Sequence, residues 1–343
     1  PMNTQHVSHL FFLLAFTVIG CGKNQPVVVV YTALDREFSQ PILERFTQKT
    51  GIQVLAKYDV ESTKTVGLAR QILVERNHPR CDVFWNNEII HTLRLKQEGV
   101  LSPCFSKTGM SYPESFRSKD HTWYGFAARA RVLLVNHDRV ARKEWPQRLW
   151  DLTDKKWKGQ IGIAKPLFGT TATQAVCLFA QLGEQEAKRF YLELRNNQVQ
   201  ILSGNKQVAQ SVGSGELSLG LTDTDDALVT LREGYPVTII YPDSGPTQLG
   251  TLFIPNTVAR IRSCPHPESA QQLIDYLLSP EVETALAQGA SGQIPLNPSV
   301  NVSPSVETPS NITAMAVDFE QAALLWNPVQ TFLKQEFTAP IPD

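Results

Sequence analysis

Two kinds of block follow one another along the chain. The stretch VVVVYTAL, from residue 27, is apolar almost throughout, which marks a strand covered on both faces of a parallel sheet. Residues 36–49 then place Phe38, Ile42, Leu43 and Phe46 on one helical face, and Gly51 stands where a helix C-terminus favours glycine. IQVLAKY and CDVFWNN predict two more strands. TKTVGLARQILVERN and IIHTLRLKQEG predict two more helices, the last ending at Gly99. Strand–helix alternation of this kind argues for a parallel α/β sheet.

A loop rich in Ser, Pro and Lys interrupts the pattern, and a second α/β series follows. Its strands are the run Ala130 to Asn136, QIGIAKP, ELSLGLTD, TIIYPD and GTLFIPNTVARI. Its helices are GTTATQAVCLFAQLG, AKRFYLELRNN and DALVTLREG. ESAQQLIDYLLS and one C-terminal helix, Met315 to Phe337, are expected to cover the surface. Two α/β halves joined by a crossing and a return make two lobes with a cleft between them. The expected crossings, Phe126–Arg131 and Leu249–Pro255, are extended enough to bend as a hinge. Residues 27–125 with about 255–300 then form lobe 1, and 126–254 form lobe 2. Residues 301–343 supply a Pro/Ser-rich loop and a helix packing on both.

Charge alters this picture little: 343 residues carry a formal net charge of −1, so no basic excess invites nucleic acid. The N-terminus alters it more. Leu10 to Ile19 is an apolar run too short to span a bilayer, and it closes in Val18-Ile19-Gly20-Cys21, as a secretion signal does. The motif resembles a bacterial lipoprotein lipobox, which implies a signal peptide over 1–21, cleavage before Cys21, a lipid on its thiol and a tether over 22–26. Export permits disulfides. Cys81, Cys104, Cys177 and Cys264 are therefore expected as one or two structural bridges or as buried thiols, and their pairing is not readable from the sequence.

In open α/β sheets, ligands sit beyond the carboxyl ends of the strands, so the turns there are the candidate site. They hold Asp35 after the first strand; Glu61, Ser62 and Thr63 after the second; and Asn86, Asn87 and Glu88 after the third. In the second half they hold Gly169, Thr170 and Thr171 at a helix entry, and Asp223, Asp225 and Asp226. Arg129 and Arg131 stand at the predicted hinge. Helix entries bind anions through unpaired N–H groups, although hydroxyls and acids there also serve as caps, and at least one of the three aspartates is expected to do so. Neither G-x-S-x-G, H-E-x-x-H nor a phosphate loop occurs, so an enzyme is not expected.

Six ordered blocks, among them VVVYTALDREFSQPILERF, CDVFWNNEIIHTLRLKQEGVL and SGELSLGLTDTDDALV, resemble bacterial extracellular solute-binding proteins of the ferric-iron type. The resemblance runs from about Val27 to Pro298. It implies a two-lobed periplasmic-binding fold, type II-like, and a monomer that hands its solute to an ABC permease and its ATPase. It also implies Fe(III), or another hard metal, held with a synergistic anion that contacts an arginine, here Arg129 or Arg131, and a helix N-terminus, here Thr170-Thr171. The tyrosine pair of iron-binding members falls on Asp223–Asp226, so carboxylates replace phenolates there. Glu88, Asp223, Asp225 and Asp226 become the candidate metal ligands. A phosphonate, sugar phosphate, polyamine or other small metabolite is the alternative solute.

Overall fold

A computed structural model describes residues 25–59, 66–302 and 306–338. Cys21, the leader, and Glu61, Ser62 and Thr63 lie outside them. The first half opens as β1 (Val27–Thr32), α1 (Arg36–Thr50), β2 (Gln53–Tyr58), α2 (Val66–Val74), β3 (Val83–Asn86) and α3 (Ile90–Gln97). β1 lies between β2 and β3 and runs parallel to both, which fits its apolar sequence. Gly51 ends α1 at φ 72°, and its N–H bonds Thr47 O.

The sheet is mixed: the parallel pairing expected from strand–helix alternation holds for β1, β2 and β3, and antiparallel strands join it. After β4 (Leu101–Ser102), β5 (Tyr124–Asn136) is a fully buried strand nearly twice as long as its apolar run suggested. Its N-terminal half pairs antiparallel with β10 (Phe253–Ile261), which also pairs antiparallel with β3 and β4. Its C-terminal half pairs antiparallel with β8 (Leu219–Asp223) and β9 (Val237–Ile240). β6 (Ile161–Ala164) lies parallel between β8 and β7 (Gln200–Leu202). The path runs β2-β1-β3-β10-β5-β8-β6-β7, with β5 shared by the two ends.

Helices α4 (Gly169–Leu182), α5 (Glu184–Asn196), α6 (Asn205–Gly213) and α7 (Thr224–Arg232) accompany the second end. β7 and α6 are additions to the sequence reading. Glycine explains how α6 sits so near the sheet. Gly162 and Gly220 pair across β6 and β8, and a Cβ on Gly220 would meet Val208 Cγ1 of α6 at 2.5 Å. With hydrogen at that position the helix packs directly on the backbone.

α8 (Pro267–Leu277) and α9 (Pro280–Gln288) return to the first end. The expected single C-terminal helix is two, α10 (Phe319–Leu324) and α11 (Trp326–Thr338), broken at Leu325. α10 packs on α3 and α4, and α11 on α4 and α5, so this pair spans both ends of the sheet. Of the two readings of the cysteines, buried thiols is the one observed: Cys81, Cys104, Cys177 and Cys264 are all free and buried.

Candidate functional site

β5 and β8 set the floor of the site. Register places Arg131 directly opposite Asp223. The two are buried and joined, Arg131 Nη1 donating to Asp223 Oδ1 at 2.7 Å. Arg129, two residues earlier, faces the same side of the strand. Its Nε donates to Asp225 Oδ2 at 3.0 Å in the first turn of α7. One strand therefore sends two guanidinium groups against two carboxylates of one turn. Burial alone would lower Arg129, but Asp225, Asp223, Asp35 and Asp226 outweigh it and raise the group, so the charge is held.

Asp223 occupies the N-cap position of α7 but makes no side-chain bond to the helix. Its oxygens accept instead from Arg131, from Thr170 Oγ1 at 2.5 Å and from Asn205 Nδ2 at 3.0 Å. Capping is thus not the role of this aspartate. Asp225 Oδ1 accepts the Asp226 backbone N–H at 3.0 Å. One carboxylate oxygen from each of Asp223, Asp225 and Asp226 falls within a cluster no wider than 4.8 Å.

Above this floor lies a cavity of about 650 Å³. Asp35, Asn87, Arg129, Gly169, Thr170, Thr171 and the three aspartates line it. Two helix entries converge there, that of α4 at Gly169-Thr170-Thr171 and that of α6 at Gly204-Asn205-Lys206. Asn205 ties them together, donating to Thr170 Oγ1 at 2.9 Å and accepting from Thr171 Oγ1 at 3.2 Å. Helix entries present N–H groups and partial positive charge, so this wall suits an anion. Lys165, Lys206 and Arg36 add cations around the same space. Sequence reasoning missed the contributions of Arg36, Lys165 and α6. The available signal was Gly204-Asn205 ahead of Val208, Ala209 and Val212, a capping dipeptide before apolar positions at helix spacing.

The turn after β3 behaves differently. Asn87 reaches the cavity, whereas Asn86, Glu88 and Arg131 lie behind its wall. Glu88 is fully buried. It accepts from the backbone N–H of Ile90 and His91, from Asn86 Nδ2 at 2.7 Å and from Thr173 Oγ1 of α4 at 2.7 Å. His91 Nδ1 stands 2.9 Å from it. Burial pushes its carboxyl up, but the charge and hydrogen bond of His91 and the Thr173 hydroxyl prevail, leaving it below the usual range. Every one of these contacts is internal to the protein, so Glu88 acts here as a tie between α3 and α4 rather than as a wall of the cleft.

A family profile described as bacterial extracellular solute-binding protein matches residues 91–323. Iron uptake protein A1 of Synechocystis is 25% identical over 334 residues, 86% of this chain and 90% of that protein. A putative 2-aminoethylphosphonate-binding periplasmic protein of Salmonella typhimurium is 24% identical over 97% of both chains. Among solved structures, iron-bound HitA from Pseudomonas aeruginosa superposes with a TM-score of 0.82 at 22% identity, over 91% of this chain and 99% of that one. The neighbours are two-lobed periplasmic binding proteins, and the fold is theirs.

Proposed function

Because the chain belongs to the bacterial extracellular solute-binding proteins, we propose that it is the capture subunit of an ABC importer whose cleft takes ferric iron together with an anion. The observation that carries the metal is the carboxylate cluster: three oxygens from Asp223, Asp225 and Asp226 no more than 4.8 Å apart. Two oxygens on opposite sides of one hard cation sit about 4–5 Å apart, so a single ion suits this spacing. Carboxylates are hard donors, matched to a hard ion. Arg129 pairs with Asp225 and Arg131 with Asp223, so the charge of the cluster is partly offset beneath the cargo. A trivalent ion then needs further anionic ligands, and the α4 and α6 entries with Lys165 and Lys206 form the place for them. A relative similar along most of the chain is named for iron uptake.

In this reading the lobes are residues 27–125 with about 255–300, and 126–254. They close on the solute around β5 and β10, and the closed form docks on the permease. The chain works as a monomer outside the cytoplasmic membrane, tethered through a lipid on Cys21. The family is one of binding proteins, and we assign no catalytic role.

A second reading has its own support. Cations and acids line one cavity, a combination that also suits a solute with an anionic group and an ammonium group. A relative named for 2-aminoethylphosphonate binding covers nearly the whole chain. Native mass spectrometry of protein purified without added metal separates the two. Iron with a small anion supports the first reading, and an amine-bearing phosphonate or phosphate ester supports the second.

A further inference from the structure

A buried carboxylate grips β5 at the irregularity in its pairing with β10, four residues before the strand takes up β8. Glu283, in α9, is 0% exposed. Among the described residues its donors are all backbone N–H groups: Ala127 at 2.6 Å, Leu296 at 3.0 and 3.1 Å, and Asn297 at 2.6 Å. Ala127 has φ 44°, a left-handed conformation that costs a residue with a Cβ about 1–2 kcal/mol. Its carbonyl is held from the other side by the Asn256 side chain of β10, which also donates to Gln293 at 2.9 Å. The β10 register shifts there, between Ile254 and Asn256. The neighbouring Ala128 exchanges two 2.7 Å bonds with Ile294.

This node is expensive to build. A carboxylate buried without a cationic partner costs more than an apolar residue of similar size, and burial does push the Glu283 carboxyl up against its backbone bonds. Tyr112 is the titratable neighbour that senses it. The investment maintains one strained peptide, and that peptide lies in one of the two strands joining the lobes.

We propose that Glu283 locks Ala127 in its left-handed conformation and thereby sets the resting angle between the lobes, with Ala127 as the pivot of closure. The proposal rests on the two-lobed closing mechanism above but not on the identity of the solute, so it is tested in ligand-free protein. Spin labels at Glu98→Cys and Lys155→Cys, both exposed and on opposite lobes, report the inter-lobe distance distribution by pulsed electron resonance. Against that background, Glu283→Gln replaces one accepting oxygen by a donor facing N–H groups. Ala127→Gly removes the strain at a φ that glycine adopts freely. Glu283→Gln is expected to shift and broaden the distribution and to lower the melting temperature, and Ala127→Gly, which keeps this φ while freeing others, to broaden it. Should Glu283→Gln fail to fold, Ala127→Gly decides alone. Wild-type distributions in every folded variant would overturn the proposal, whichever solute the protein carries.

Discussion

The turns after β3 and after β8 look alike in sequence: each ends a buried strand, opens a helix and offers acids and amides. The structure treats them in opposite ways. After β3, Glu88 turns inward and is saturated by backbone, His91 and Thr173, leaving Asn87 as that turn's contribution to the cavity. After β8, the acids stay at the cavity because β5 carries two arginines that stabilise them there. A buried acid can be stabilised by backbone N–H groups, which fix it as structure, or by a charged partner on a neighbouring strand, which can hold it at an open wall. The second arrangement keeps carboxylates ionised at a surface meant for a ligand.

That contrast can be broken at the β8 turn first. Asp223→Ala strands the Arg131 guanidinium in the interior, and removing one partner of a buried pair costs about 3–5 kcal/mol. Thermal unfolding should show the largest loss of any single substitution here, and a nearly unchanged melting temperature would mean that the pair is not a structural unit. Arg129→Ala should weaken binding of the anion by about 1.5–3 kcal/mol, the worth of a hydrogen bond to a charged group, because it removes a cation that lines the cavity; isothermal titration reads this directly. Asp225→Ala with Asp226→Ala should lower solute affinity at least about tenfold, about 1.4 kcal/mol, and by more than it lowers apo stability.

Glu88→Gln tests the other arm. It should cost about 1–3 kcal/mol by spoiling a saturated buried acceptor while leaving solute affinity nearly unchanged. The sign of its pH dependence follows from a depressed carboxyl. Glu88 stabilises the fold above its ordinary value of 4.5 and loses that contribution as the pH falls below it. The groups facing it are His91, Thr173, Asn86 and, at longer range, Arg94 and the Cys177 thiol of α4. Melting curves of Glu88→Gln should therefore be less acid-sensitive than those of the wild type. Smallest of all in thermal unfolding should be Lys206→Ala, whose loss falls on anion binding instead. Lys206 and Glu37 form an exposed 3.6 Å pair at the rim, worth about 0–1 kcal/mol and screened by salt.

Much of this fold was legible because β1, β3 and β8 are nearly pure apolar runs bounded by helix signals. Less legible was what depends on partners distant in sequence. The antiparallel pairing of β10 with β3 and β5 leaves no mark on either sequence. The stretch GFAARAR of β5 carries two buried arginines whose carboxylate partners lie more than ninety residues away. α6 escaped because its apolar positions are few and set among polar residues, yet its entry supplies one side of the cavity. Strand-end reasoning found the turns that hold the site. It could not tell which side chains face out, because Glu88 and Asp225 differ only in what packs behind them.

The central claim is that the β8 turn and its arginines form a seat for a metal ion completed by an anion. Titrating metal-free protein with Fe(III), with and without citrate or carbonate, and counting bound iron by elemental mass spectrometry, tests it most directly. The account predicts one iron per chain, retained only when the anion is present, and lost in Asp225→Ala with Asp226→Ala. No retained iron under any of these conditions, with an organic metabolite found in the cleft instead, would contradict it.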